Sequence, residues 1–336
     1  MNIERLPALS VANVSSVVYA VIRREQGSLC IAVLDNQLKL KEVIITLVGS
    51  HASILERKED RLLVGVDNRL LLFEGGDVRV VLEARFGNFF WHGVTVGNRF
   101  FVQEYGEPPT GIYVSEDLVH WVKVVDNVSI DRSSKHFHYV GSDPYRGWLI
   151  ATLGDGNVVR AIYSPDFGKS WKPLYVGPWQ FMPFVARRDR IVFGFDSGIT
   201  KGGVGVYHPG GTWDFKFFKP AGLYDRIQFA ELLYVDDLDV FVAAFGFPQA
   251  LAVSRDLVRW HPILVEGSSA DYSHHVGVLR AGDRIIGWTG RSLVSVALSE
   301  LSKFLESRPL TSPYRAYVDR IRGSLFMVKR RLWSRY

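Results

Sequence analysis

An all-β fold of seven four-stranded antiparallel blades, with six blades as the alternative, is what this sequence predicts, and three observations carry that prediction. One nonapeptide, Tyr163-Ser164-Pro165-Asp166-Phe167-Gly168-Lys169-Ser170-Trp171, reads as a fastened hairpin turn and has weaker copies along the chain. A polar or His-containing strand start, leading through a turn to a strongly apolar strand, recurs in step with it at roughly 40 to 50 residues, the spacing of propeller blades. No amphipathic helices of about 10 to 15 residues separate the strands, which sets aside a parallel α/β sheet.

In the nonapeptide, Ser164 and Asp166 can fold back on backbone N–H groups, Gly168 can take the positive φ of a tight reversal, and Trp171 can lie across the hairpin as an apolar lid. Ser115-Glu116-Asp117-Leu118-Val119-His120-Trp121 and Ser254-Arg255-Asp256-Leu257-Val258-Arg259-Trp260 share its Ser-x-Asp start and closing Trp, with a shorter turn and no glycine. Ser299-Glu300-Leu301-Ser302-Lys303-Phe304 is a more eroded copy. Asp35-Asn36, Gly75-Gly76-Asp77 and Pro209-Gly210-Gly211 supply turns of different chemistry, and the hairpins then number seven.

The second signal appears as His51-Ala52-Ser53-Ile54, His92-Gly93-Val94, His138-Tyr139-Val140, Phe181-Met182-Pro183-Phe184, Ala230-Glu231-Leu232-Leu233 and His275-Val276-Gly277-Val278, each leading to an apolar run such as Leu62–Val66 or Phe100–Val102. Together the signals divide one domain, 1–312, into blades at about 1–45, 46–85, 86–128, 129–178, 179–222, 223–266 and 267–312, followed by a basic extension, 313–336. Ser299 to Ser307 suits one short helix. In the extension, Tyr317-Val318 and Leu325-Phe326-Met327-Val328 are read as a closing strand or docked extension in preference to a basic amphipathic helix.

Composition agrees with many short strands joined by tight turns, because 47% apolar residues are accompanied by 31 glycines. The single cysteine, Cys30, sits in an apolar strand and excludes a disulfide framework or thiolate metal cage. The start of the chain lacks a basic segment followed by a long apolar run, so a soluble, cytoplasmic protein without a membrane span is expected. Of the net charge of +5, the segment 314–336 holds +6, leaving the rest at −1, so no nucleic-acid partner is expected. That basic tail, with Leu332 and Trp333, has the composition of a segment that touches an anionic lipid surface.

The Ser164, Asp166, Gly168 and Trp171 pattern resembles the repeat of the Asp-box (bacterial neuraminidase repeat) β-propellers. The resemblance implies that the box lies on the hairpin between the outer strands of a blade and is structural. The shorter copies at Ser115, Asp117, Leu118 and Trp121, and at Ser254, Asp256, Leu257 and Trp260, are similar to hairpins of five-bladed glycoside hydrolases. Arg5-Leu6-Pro7 is similar to the Arg-Ile-Pro motif of sialidases.

In a propeller the first strand of each blade faces the central channel, so side chains at its start converge at one mouth. His51, His92, His138, Glu231 and His275 occupy that position, with His136, Gln180, Gln228 and His274 close before it. Imidazoles suit proton transfer near neutral pH or metal ligation. The expected catalytic set is therefore His138, His92 and His275, with Glu231 as base or charge partner. A divalent metal ion is expected on His92, His136, His138 and His275, of which His136 and His138 share one strand face. Substrate contacts are assigned to Trp91, His51, Gln180, Gln228, Arg226 and Tyr272, with Arg187 and Arg291 as further cations and Tyr224 as a further proton donor. Asp155, in Gly154-Asp155-Gly156, reads either as a cation ligand or as ordinary loop chemistry. The expected function is a propeller that binds or cleaves carbohydrate, as glycoside hydrolase or polysaccharide lyase; the alternative is a non-catalytic scaffold for a protein or glycan partner at the mouth.

Overall fold

The computed structural model describes residues 1–336 except 15–16, 25–27, 36, 59–60, 223, 268–274 and 334–336, together with the side chains of 14, 57–58 and 331–333. Seven antiparallel sheets form a ring, a seven-bladed β-propeller, with blades at 8–48, 52–83, 89–126, 136–176, 181–220, 228–267 and 277–297. The first strand of each blade neighbours that of the next, and the seventh returns to the first.

Both faces of a blade are covered by its neighbours, which is why the second strands are apolar without alternation. Val240–Phe247 is buried along almost its whole length, whereas the outer strand Leu40–Val48 alternates between half-buried and exposed positions. The core accordingly consists of seven layers, one between each pair of blades. The layer between blades 4 and 5 is the most aromatic, with Phe181 stacked on Trp213 at 5.6 Å.

The hairpins are fastened by their serine and aspartate. Ser164 Oγ accepts from Gly168 N at 2.7 Å, Asp166 Oδ1 accepts from Ser170 N at 2.8 Å, and Gly168 takes a φ of 90°. In the shorter copies Leu118 N and Leu257 N donate to Ser115 Oγ and Ser254 Oγ, and the leucines themselves adopt φ of 66° and 65°. Their side chains are buried, so packing offsets a conformation that L-residues avoid. The Asp35 turn repeats the device, with Asp35 Oδ1 accepting from Gln37 N and Lys39 N and Leu38 at a φ of 67°.

Three expectations are corrected. Ser299–Phe304 does not form a seventh hairpin: Leu298–Glu300 is a 3-10 turn and Leu301–Phe304 a helical turn. The outer strand of blade 7 is instead Asn2–Glu4, which pairs antiparallel with Leu293–Ala297, so the first blade does not begin at residue 1. The N-terminal strand thereby closes the ring, joining segments from far apart in the sequence in one blade. The tail is not a closing strand either. Thr311–Pro313 adds a fifth strand to blade 5, and Tyr317–Trp333 is a helix. Blade 7 is completed by Asn2–Glu4, so the tail is not needed as its outer strand, and the apolar residues of the tail recur at helical spacing.

Candidate functional site

First strands begin, and second strands end, at the same face of the ring, so two loop sets meet at this mouth. The antiparallel register places Gly154 opposite His136 and Phe195 opposite Phe181. The residues just beyond the second strands, Asp155 and Asp196, therefore join the histidines at the first-strand starts.

His138 sits at an irregularity in the first strand of blade 4, between Phe137 and Tyr139, and its ring lies 5.1 Å from that of His136. Both are buried, at 5% and 3% exposure. His136 Nδ1 lies 2.8 Å from the Gly106 carbonyl, and His138 Nδ1 lies 3.0 Å from that of Phe181. A carbonyl only accepts, so each Nδ1 carries the proton and each Nε2 presents a lone pair. His136 Nε2 is buried without a hydrogen-bond partner, 3.8 Å from Asp155 Oδ2. One donor atom each from His136, His138 and Asp155 lies within 4.8 Å of the others, the one such metal-capable trio among the described residues.

Burial, with the charge of His138, holds the His136 pKa below its ordinary range, and burial does the same for His138. Burial would raise Asp155, but His138 and a hydrogen bond from Gln180 Nε2 at 2.9 Å outweigh it and keep the carboxylate charged. Asp196 is the opposite case: burial and the nearby Asp155 charge push it up to about 6. It accepts from Gln228 Nε2 at 2.7 Å and lies 3.7 Å from His138 Nδ1. Beside this cluster is a cavity of about 170 Å³ lined by Trp91, Tyr105, His138, Asp196, Gln228 and Phe229.

The four expected catalytic residues do not form one constellation. Only His138 sits in the cluster. His92 packs on Trp91 and on Tyr139, 4.5 Å between rings, and Tyr139 Oη donates to Glu231 Oε1 at 3.0 Å. His275 stacks on His51 at 5.5 Å, and His51 on Phe89 at 4.7 Å. His92 and His275 are thus outside the metal-capable trio, because they lie on other blades whose second strands end in different residues. Trp91 and Gln228 line the cavity, Gln180 holds Asp155, and Arg226 acts on Asp196 by charge while its guanidinium stacks on Phe247 at 5.6 Å. Arg187 belongs to the opposite face, between Asp239 and the Tyr234 ring. Arg5 is tied to Glu266 and Ser292. Tyr272 and His274 lie outside the described residues.

Sequence reasoning missed Asp196, Tyr105 and Tyr139. A signal existed: Asp67, Asp155 and Asp196 each follow immediately on a second strand, after Val66, Gly154 and Phe195. Gly154 has its own reason, since a Cβ there would lie 2.0 Å from His138 Nε2.

Glu231 provides a pH test of the channel. Burial raises its pKa from 4.5 to about 7. Such a carboxyl binds its proton more tightly folded than unfolded, so its contribution is complete below about 4.5 and is lost as pH rises through about 7. Glu231→Gln keeps an acceptor for Tyr139 and removes the charge. It should leave stability unchanged at pH 5 and raise it by about 1 to 2 kcal/mol at pH 8, discounted for channel water, as read by urea denaturation. An equal effect at both pH values would contradict this.

No protein-family model and no curated protein matches the chain. Solved propellers resemble it in fold. The extracellular domain of the hybrid two-component system BT4673 from B. thetaiotaomicron has a TM-score of 0.56 at 8% identity, covering 87% of this chain and 38% of that one. The N-terminal domain of Nup159 has a TM-score of 0.53 at 11% identity, covering 88% and 90%. A chain of the nidogen/laminin complex has 0.50 at 10%, covering 76% and 93%. At these identities the likeness is one of fold.

Proposed function

We propose that the protein is a carbohydrate-binding β-propeller of Asp-box type whose mouth holds a divalent metal ion on His136, His138 and Asp155. The observation that carries this reading is the pair of buried imidazoles, each fixed by a backbone carbonyl so that its Nε2 is left as a lone pair, beside a charged carboxylate. Such outer hydrogen bonds are how proteins orient metal-ligating histidines. Two nitrogens and one carboxylate suit a zinc-like ion and leave a fourth position for a ligand oxygen. Ligands about 2.0 Å from such an ion stand about 3.3 Å apart, so the present spacing needs about 1 Å of closure.

The adjoining cavity combines aromatic faces with Gln228, Asp196 and His138, the mixture that grips a hydroxylated ring. At about 170 Å³ it takes one sugar unit. It is smaller than the roughly 300 to 1,000 Å³ of sites for drug-sized ligands. Asp196, near half-protonated at pH 6, is placed to donate a proton if the bound unit is cleaved.

The test is calorimetric titration of neutral sugars and uronates into metal-loaded and chelated protein, with reducing ends and unsaturated-uronate absorbance read in parallel. Binding that requires the metal supports the reading, and absence of binding by the loaded protein overturns it. A protein partner at the same mouth is the second reading, favoured by the complexes in which relatives of this fold were solved, laminin with nidogen and dbp5 with nup159.

A further inference from the structure

The C-terminal helix Tyr317–Trp333 is turned the unusual way round. Its polar and small residues face the propeller: Asp319 is buried, Gly323 lies against Pro178 and Trp179, and Arg330 reaches Gly156, next to Asp155. Phe326 is sandwiched between the guanidinium groups of Arg160 and Arg330, at 5.3 and 5.6 Å. On the opposite side Tyr317, Val318, Ile321, Leu325 and Val328 form one stripe at helical spacing, each between 54% and 66% exposed.

Cations border that stripe. Arg322 and Lys329 run along one edge, whereas the guanidinium of Arg320, towards the other, stacks on the Phe217 ring of the propeller at 5.3 Å. Asp319, the only acid from 314 to 336, is buried on the docked side, within 4.0 Å of Arg322. The exposed side of the helix is thus apolar along its centre and positive along the margin that carries Arg322 and Lys329. The contacts with Pro178, Trp179 and Gly156 place the helix at the mouth face, where Phe86 is also 94% exposed in the loop before Phe89.

We infer that this helix docks the propeller onto an anionic lipid surface, its stripe entering the headgroup boundary and its cations meeting the lipid charges. The charge pattern selects this occupant: a second copy would bring the same cationic margin against its like, whereas an anionic bilayer complements Arg322 and Lys329. Among the described residues no helix is long and apolar enough to cross a membrane, which fits a segment lying in the interface plane.

The experiment uses the full chain with vesicles of phosphatidylcholine alone and with about one third phosphatidylserine, read by co-sedimentation at low and high salt. Binding to the anionic vesicles that weakens with salt is expected. The pair Arg322→Gln and Lys329→Gln should weaken it roughly 30-fold, at about fivefold per cation. The pair Ile321→Glu and Leu325→Glu should abolish it, with an unchanged melting curve showing that the ring is intact. Equal binding to both vesicle types, binding insensitive to both pairs, or a concentration-dependent dimer that Leu325→Glu dissolves without vesicle binding by the parent protein would overturn the inference.

Discussion

Replacing His136 with alanine is expected to abolish divalent-metal binding, with affinity falling by at least about 100-fold, as judged from losses of 10 to 100-fold when merely a supporting partner is removed. The ring supplies a buried Nε2 3.8 Å from Asp155 and without a hydrogen-bond partner among the described residues, so its loss removes a ligand together with the hydrogen bond from Nδ1 to the Gly106 carbonyl. Asp155→Asn should act in the same direction, since the neutral amide brings no charge to the ion. His51→Ala is the matched control. His51 stacks on Phe89 and His275 at the same mouth but stands outside the trio. Titration calorimetry on the three variants checks this, and a His136→Ala protein that binds as the parent does would remove the metal from the account.

Trp260→Ala should cost about 3 to 5 kcal/mol, the range for emptying the volume of a fully buried aromatic ring. Trp260 is 0% exposed and meets Phe229 and Phe245 edge to face at 5.4 and 5.6 Å in the layer between blades 5 and 6. Its backbone also anchors the segment leading to the fifth strand of blade 5, through Leu310 N to Trp260 O at 2.7 Å. Trp121, the same position of the blade 3 hairpin, is only half-buried and should cost about half as much or less. Urea denaturation of the two variants ranks them, and equal losses would contradict the distinction between a buried layer residue and a surface lid.

The seven-bladed ring was legible because its signals are local. Turn fastening by Ser164 and Asp166, or by Ser254 and Asp256, depends on atoms a few residues apart, and burial on both faces writes unbroken apolar runs such as Val240–Phe247. Closure was not legible, because nothing in Asn2–Glu4 states that its partner is Leu293–Ala297 almost the whole chain away. Ser299 misled for the same reason: a hairpin remnant persists where the partner strand comes from the other end. In the site, the shared face of His136 and His138 followed from strand geometry. Asp196 did not, because it joins them only through the register that sets Phe195 opposite Phe181. In the tail, Tyr317-Val318 and Leu325–Val328 read as a closing strand or docked extension by their neighbourhood in sequence, whereas the 3.6-residue spacing that joins Val318, Ile321, Leu325 and Val328 is that of the helix.

The most direct measurement is anomalous scattering from a crystal grown with zinc. The account predicts one strong peak at the mouth, about 2.0 to 2.2 Å from a nitrogen of His136, a nitrogen of His138 and an oxygen of Asp155. A map with no peak there, or with zinc bound only at other histidines, would contradict it.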